Sequence, residues 1–143
     1  MADKRIIHGD EIKRPSKNII EKFKDIGSAS VAGKLSHGFG IKDPFIQGPR
    51  TFTPGKRVVG PALTLQFMPK REDVYPEGEY VEPEKQLHRH ALYHTKPGDI
   101  IVVDARGSMK SGVFGNMMLT YFYGAGGLGA IIDGCIRDFG ESK

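Results

Sequence analysis

The sequence predicts an α/β fold over residues 16–143, and three observations carry that prediction. Two apolar runs, 99–104 and 128–133, have the length and β-branched content of buried strands. The stretch between them, 113–123, sets Phe114, Met117, Met118, Tyr121 and Phe122 at helical spacing. Glycine and proline fall at the joints, with Pro97-Gly98 ahead of the first run and a glycine cluster at 124–127 ahead of the second. Helical and strand patterns alternating in this way indicate βαβ construction.

Taken in order, residues 1–15 read as a polar, loose N-terminal arm. From Ser16 the spacing of Ile19, Ile20, Phe23 and Ile26 predicts a helix that Gly27 ends. Ser28 is expected to cap a second short helix bearing Val31, Ala32 and Leu35, broken around Gly38 and Gly40. The Pro/Gly-rich stretch 44–55 reads as an extended connection, and 57–68 as one or two strands interrupted at Gly60-Pro61. Residues 69–84, with six acids, read as a surface excursion, and 84–95 as a helix. Residues 99–104 are expected to form a strand buried on both faces, 106–112 a loop, and 128–133 another buried strand. No internal repeat and no second domain are apparent, so 16–143 is read as one domain.

Composition narrows the function classes. Hydrophobic residues make up 38% and charged residues 27%, the balance of a globular chain and not of a disordered or fibrous one. Apolar runs such as Ile100-Ile101-Val102-Val103 are far too short to cross a bilayer. The N-terminus lacks the apolar stretch of a secretory signal, and the single Cys135 has no intrachain partner; both point to the cytoplasm. A net charge of +4 suits an anionic partner. The charges are interleaved, as in Lys70-Arg71-Glu72-Asp73, which favours a small carboxylate over nucleic acid.

The chemistry points to the tail. A strand pattern there delivers Arg137-Asp138 at its end, where open α/β sheets usually place their sites. Arginine grips a carboxylate with two parallel donors. Aspartate is a hard oxygen ligand for Mg²⁺ or Mn²⁺. On its own the dipeptide is more often a surface ion pair. Upstream, Gly115-Asn116-Met117-Met118 lies near a helix start, whose backbone amides make an anion site. A βαβ connection can bring that helix start to the Arg-Asp pair. The Met117 and Met118 side chains are expected to serve the core.

Gly115-Asn116-Met117-Met118, then Arg137-Asp138, then Glu141, resembles the signature of the RraA-like family. That family includes 4-hydroxy-4-methyl-2-oxoglutarate and 4-carboxy-4-hydroxy-2-oxoadipate aldolases and the regulator of ribonuclease activity A. The resemblance runs over about residues 16–141 and takes in Gly60-Pro61-Ala62-Leu63-Thr64 and 97–104. It implies a β/β/α swivelling-domain architecture, of which this chain holds the N-terminal portion, and assembly as a homotrimer or hexamer. It makes Gly115, Asn116, Met117, Met118 and Arg137 substrate-binding groups, Arg137 also the catalytic cation, and Asp138 the ligand of Mg²⁺ or Mn²⁺. Glu141 matches an acidic position of the signature. The implied reaction is cleavage of a 4-hydroxy-2-oxo acid to pyruvate, with oxaloacetate decarboxylation through the same enolate.

Two departures stand out. Family aldolases commonly carry an acid where this chain has Asn116, which can bind a water but cannot take its proton. The family also continues beyond the Arg-Asp motif, with an acid lent across a subunit interface. Asn116 keeps open an alternative from another class, a non-catalytic regulator that binds and inhibits an RNA-degrading endonuclease. Asp104, at a strand end, is either a support for the site or a cap for the following loop.

Three other signals are discounted. Residues 124–129 fit G-x-G-x-x-G, but in the order helix then strand, the reverse of a dinucleotide site. His90 and His94 share a helical face without a third zinc ligand. Cys135 has no His-Asp partnership around it.

Overall fold

A computed structural model of the chain describes residues 12–69, 71, 73 and 86–141. In chain order it holds α1 (Lys17–Phe23), α2 (Ser28–Phe39), β1 (Ala62–Gln66), α3 (Leu87–Tyr93), β2 (Ile100–Phe114), α4 (Asn116–Gly124) and β3 (Gly129–Ile136). A 3-10 turn, Phe139–Glu141, follows. The strands form one parallel sheet in the order β1-β2-β3, so the α/β prediction holds.

Register explains which side of the sheet is covered. Leu63 pairs with Ile101, and Leu65 with Val103 and on to Ile132, so these side chains share one face. Helices α3 and α4 pack there, and Ala91, Leu92 and Phe122 complete the core with Leu63, Leu65, Ile101 and Val103. Each large side chain taken out of water in this way contributes about 1.5–3 kcal/mol. The alternate residues of β1, Ala62, Thr64 and Gln66, are exposed on the opposite face.

Several boundaries move from their predicted places. Gly27, not Ser28, occupies the N-cap of α2, because Gly27 O already accepts from Ser30 and Val31. Gly40 ends α2 in the left-handed conformation, φ 69°, and its N–H donates to Ser36 O. Only one strand forms within 57–68, since the pattern before Pro61 finds no partner strand among the described residues. Most of the 69–84 excursion lies outside the described residues, as does the predicted start of the 84–95 helix.

The larger correction concerns 106–112. It is not a free loop but part of β2, paired with β3 through Ser108–Gly134 and Gly112–Cys135. The pairing is irregular: between the Asp104–Asp133 and Phe114–Ile136 pairs, nine residues of β2 lie opposite two of β3. Left-handed backbone at Arg106 (φ 56°) and Gly107 (φ 65°) begins this outward swing. Val113 and Phe114 consequently close β2 instead of opening α4. β3 is longer than predicted, and as an edge strand it is half-buried, not fully buried.

The expected loose arm lies mostly outside the described residues, but its end is fixed. Arg14 Nε and Nη2 donate to Asp99 Oδ1 and Oδ2 at 2.7 and 2.6 Å, and Nη2 also reaches His94 O at 2.8 Å. Asp99, with no exposed surface, takes a further bond from the Lys96 N–H at 2.8 Å. A fully buried carboxylate is retained here because its oxygens are matched by a guanidinium fork and a backbone amide.

Candidate active site at the end of the parallel sheet

β3 ends at Ile136, and the next two residues are Arg137 and Asp138. The Arg137 N–H donates to Phe114 O at 2.8 Å, which ties the end of β3 to the end of β2, with only Gly115 between Phe114 and the first residue of α4. Gly115 is the N-cap of α4. A side chain starting at Gly115 would lie 3.0 Å from Asp138 Oδ2 and 3.8 Å from Arg137 Nε. One starting at Gly112 would overlap the Arg137 Cγ and come within 3.2 Å of its Cδ. The two glycines thus leave the room in which the Arg137 side chain and the Asp138 carboxylate lie. Asp138 itself is left-handed, φ 56°, a conformation that aspartate tolerates better than most residues.

Of the residues singled out from sequence, Gly115, Arg137 and Asp138 lie together. Gly115 abuts Arg137 and Asp138 directly, and Asn116, Met117 and Met118 form the first turn of α4. Not all of that turn is available as an anion site, because the Met118 N–H donates to Gly115 O at 3.1 Å. Met118 packs against the core, but the Met117 side chain, 85% exposed, does not, contrary to expectation. The Asn116 Oδ1 is turned along the helix and accepts from Thr120 Oγ1 at 3.3 Å. Glu141 falls in the 3-10 turn, and its side chain lies outside the described positions.

Asp104 caps the turn that follows it. Its Oδ1 accepts from the Arg106 N–H at 2.8 Å and its Oδ2 from Gln66 Nε2 at 2.9 Å. The Gln66 amide, then the Arg106 N–H and the Arg106 charge, hold this carboxyl below the ordinary aspartate value. Asp133, which the sequence did not single out, accepts from the Gly107 N–H at 3.1 Å. The 44–55 connection also arrives here: Phe52 packs edge-on against Phe139 with ring centroids 4.4 Å apart. Neither its composition nor its spacing gave a signal for that contact.

The donors present fit a small hard cation. Among the described residues no three His, Cys, Asp or Glu side chains converge to form a metal cage. Mg²⁺ does not require one, since it commonly binds one or two carboxylates and otherwise water and substrate oxygens. Asp138 supplies such a carboxylate at the mouth of the sheet. His90 and His94 form no such centre: the rings stack at 6.4 Å, and His94 Nδ1 is bonded to His90 O.

The Aldolase/RraA model of the RraA-like family matches residues 20–143, and the chain belongs to that family. Over 87 residues it is 34% identical to a Halalkalibacterium halodurans protein named "Putative 4-hydroxy-4-methyl-2-oxoglutarate aldolase", a match covering 61% of this chain and 35% of the relative. The crystal structure of Streptomyces coelicolor RraAS2, described as an unusual member of the RNase ES inhibitor RraA protein family, superposes with a TM-score of 0.76 at 36% identity. That match covers 91% of this chain and 59% of RraAS2. An uncharacterized Pseudomonas syringae protein shares the fold, with a TM-score of 0.69 at 21% identity, over 94% of this chain and 55% of its own. The chain thus spans between about a third and three-fifths of the length of these relatives.

Proposed function

We propose that this chain carries the substrate-binding half of a divalent-metal-dependent lyase that cleaves a 4-hydroxy-2-oxo acid to pyruvate and a second carbonyl compound. The observation that carries the reading is the contact of Gly115, at the start of α4, with both Arg137 and Asp138. Arg137 binds the 2-keto acid through its carboxylate and keto oxygens, the bidentate geometry its planar fork favours. As the carbon–carbon bond breaks, negative charge grows on the keto oxygen, and a fixed guanidinium stabilises it without reorganisation. A Mg²⁺ or Mn²⁺ held by Asp138 would add Lewis-acid polarisation of the same oxygen. The α4 start contributes the positive end of its backbone dipole to the substrate carboxylate. Asn116 holds a water by hydrogen bonding and leaves proton removal to another group. Oxaloacetate, which decarboxylates through the same enolate, is a second substrate on this reading.

The test is pyruvate release from oxaloacetate and from 4-hydroxy-4-methyl-2-oxoglutarate, with Mg²⁺ and then with chelator. Release that stops with chelator and in Asp138→Asn, which keeps the left-handed backbone, supports the lyase. A chain that binds Mg²⁺ yet releases no pyruvate from either acid excludes it.

One observation favours a second reading, a non-catalytic regulator that binds an RNA-degrading endonuclease. Asn116 stands where a proton-handling acid would serve an aldolase, and its oxygen is engaged by Thr120. RraAS2, described as belonging to an RNase ES inhibitor family, is one of the similar structures. Inhibition of an endonuclease by a chain inert toward keto acids would select it. On either reading, assembly as a trimer or hexamer and a cytoplasmic setting are part of the proposal. Among the described residues, no helix is long and apolar enough to cross a membrane.

A further inference from the structure

The Arg137–Asp138 site depends on the nine-residue swing of β2, and the swing has a defined entrance. Gln66, Asp104 and Asp133 are register partners across the three strands, so they form one row on the sheet face away from α3 and α4. One residue beyond the row come two consecutive left-handed residues, Arg106 and Gly107. Their amides are taken one by each aspartate: Arg106 N–H by Asp104 Oδ1 at 2.8 Å, and Gly107 N–H by Asp133 Oδ2 at 3.1 Å. Asp104 is in turn braced by Gln66 Nε2 at 2.9 Å. The swing closes where Arg137 N–H meets Phe114 O, and between entrance and closure it sets Gly112 against the Arg137 side chain. Two carboxylate acceptors on neighbouring strands therefore fix the first of the three register shifts by which β2 departs from regular pairing with β3.

We infer that Asp133, acting with Asp104, is a positioning residue for the substrate-binding arginine: its carboxylate holds the Gly107 amide and so sets the course of 105–113 past Arg137. The inference rests on the proposed lyase reading for its kinetic readout, but the hydrogen bond that carries it does not. Asp133 lies five residues before Asp138, and its carboxylate is engaged with the Gly107 amide. What it supplies is an acceptor, not a charge for chemistry, and that distinction can be measured.

The experiment compares Asp133→Ala with Asp133→Asn in the full chain. Asparagine keeps an acceptor oxygen in the same place; alanine removes it. For Asp133→Ala we expect KM for oxaloacetate to rise about tenfold or more with a smaller change in kcat, as misplacement of a binding group requires. Gly107 amide hydrogen exchange should accelerate in the same variant. Asp133→Asn should restore KM to within about threefold of the parent and restore slow exchange. Equal damage in both variants would overturn the inference, as would a parent-like KM in Asp133→Ala. If Asp133→Ala does not fold, Asp133→Asn decides alone: a folded variant with KM raised tenfold or more refutes the acceptor role. A parent chain inert toward both oxaloacetate and 4-hydroxy-4-methyl-2-oxoglutarate would refute the lyase reading and not this one, because Gly107 exchange still reports whether Asp133 fixes the turn.

Discussion

Arg137 and Asp138 make different demands on a substitution, and the backbone separates them. Arg137 is exposed and contributes its side chain to the site, so Arg137→Ala should leave the unfolding midpoint within about 2 °C while kcat/KM for oxaloacetate falls by at least about a hundredfold. Circular dichroism melting beside the pyruvate assay checks both halves. Asp138 is left-handed, a conformation that Asn also accepts and Ala does not. Asp138→Asn is therefore the cleaner test of the carboxylate: its fold should survive, and Mg²⁺ titration by calorimetry should show binding weakened at least about tenfold. Undiminished Mg²⁺ affinity would remove Asp138 from the metal's coordination. Asp104 carries a pH prediction. Its folded pKa lies below the ordinary value of 3.8, so the stability it adds is present above that value and is lost as pH falls through the folded pKa. Acid unfolding of Asp104→Asn should accordingly depend less steeply on pH below about 4 than that of the parent.

Turns rather than helices carry the tightest constraints on the elements. Gly126 joins α4 to β3 at φ 92°, and a side chain there would start 2.8 Å from Pro97 Cα. Gly40, at the end of α2, has φ 69° but open space around it. The two positions isolate two costs of adding a methyl group. Gly40→Ala should destabilise by about 1 kcal/mol, the cost of left-handed backbone alone. Gly126→Ala should cost at least about 2 kcal/mol, because the backbone of the Pro97 turn must also move. Urea unfolding of both variants measures the difference, and equal midpoints would show that the turn yields freely. Gly126 and Gly127 thus have a packing role: Gly127 lies against the Phe122 ring and Gly126 against Pro97.

Across the whole molecule, the N-terminal segment is joined to the sheet by the Arg14–Asp99 pair. Asp99 opens the way into the central strand and is buried, while the Arg14 side chain is 17% exposed. Removing one partner of such a pair strands the other without compensation. Arg14→Ala should therefore cost about 3 kcal/mol, far more than an exposed pair such as Lys24–Glu21 would. Arg14→Ala that unfolds at the parent's urea midpoint would show that water reaches Asp99 instead. Helix α1 is attached more lightly: its apolar residues Ile19 and Phe23 remain exposed, and Arg57 Nη2 donates to its last carbonyl, Phe23 O, and to Ile26 O in the turn that follows.

The sequence alone determined what depends on local pattern. Periodicity gave the helices and the two parallel runs, glycine and proline gave the joints, and the signature residues gave the family and the pairing of Gly115 with Arg137-Asp138. Where patterns are read locally, 106–112 looks like a loop, because glycine, serine and charge give no sign of a partner. Only tertiary structure decided that this stretch pairs with β3, that Gly112 makes room for Arg137, and that Asp133 holds the Gly107 amide. The reason is physical: a hydrogen bond across a sheet joins residues far apart in the chain, and an irregular register leaves no repeating spacing to read. The same holds for Arg14 and Asp99, 85 residues apart, whose attraction has no local trace in either neighbourhood.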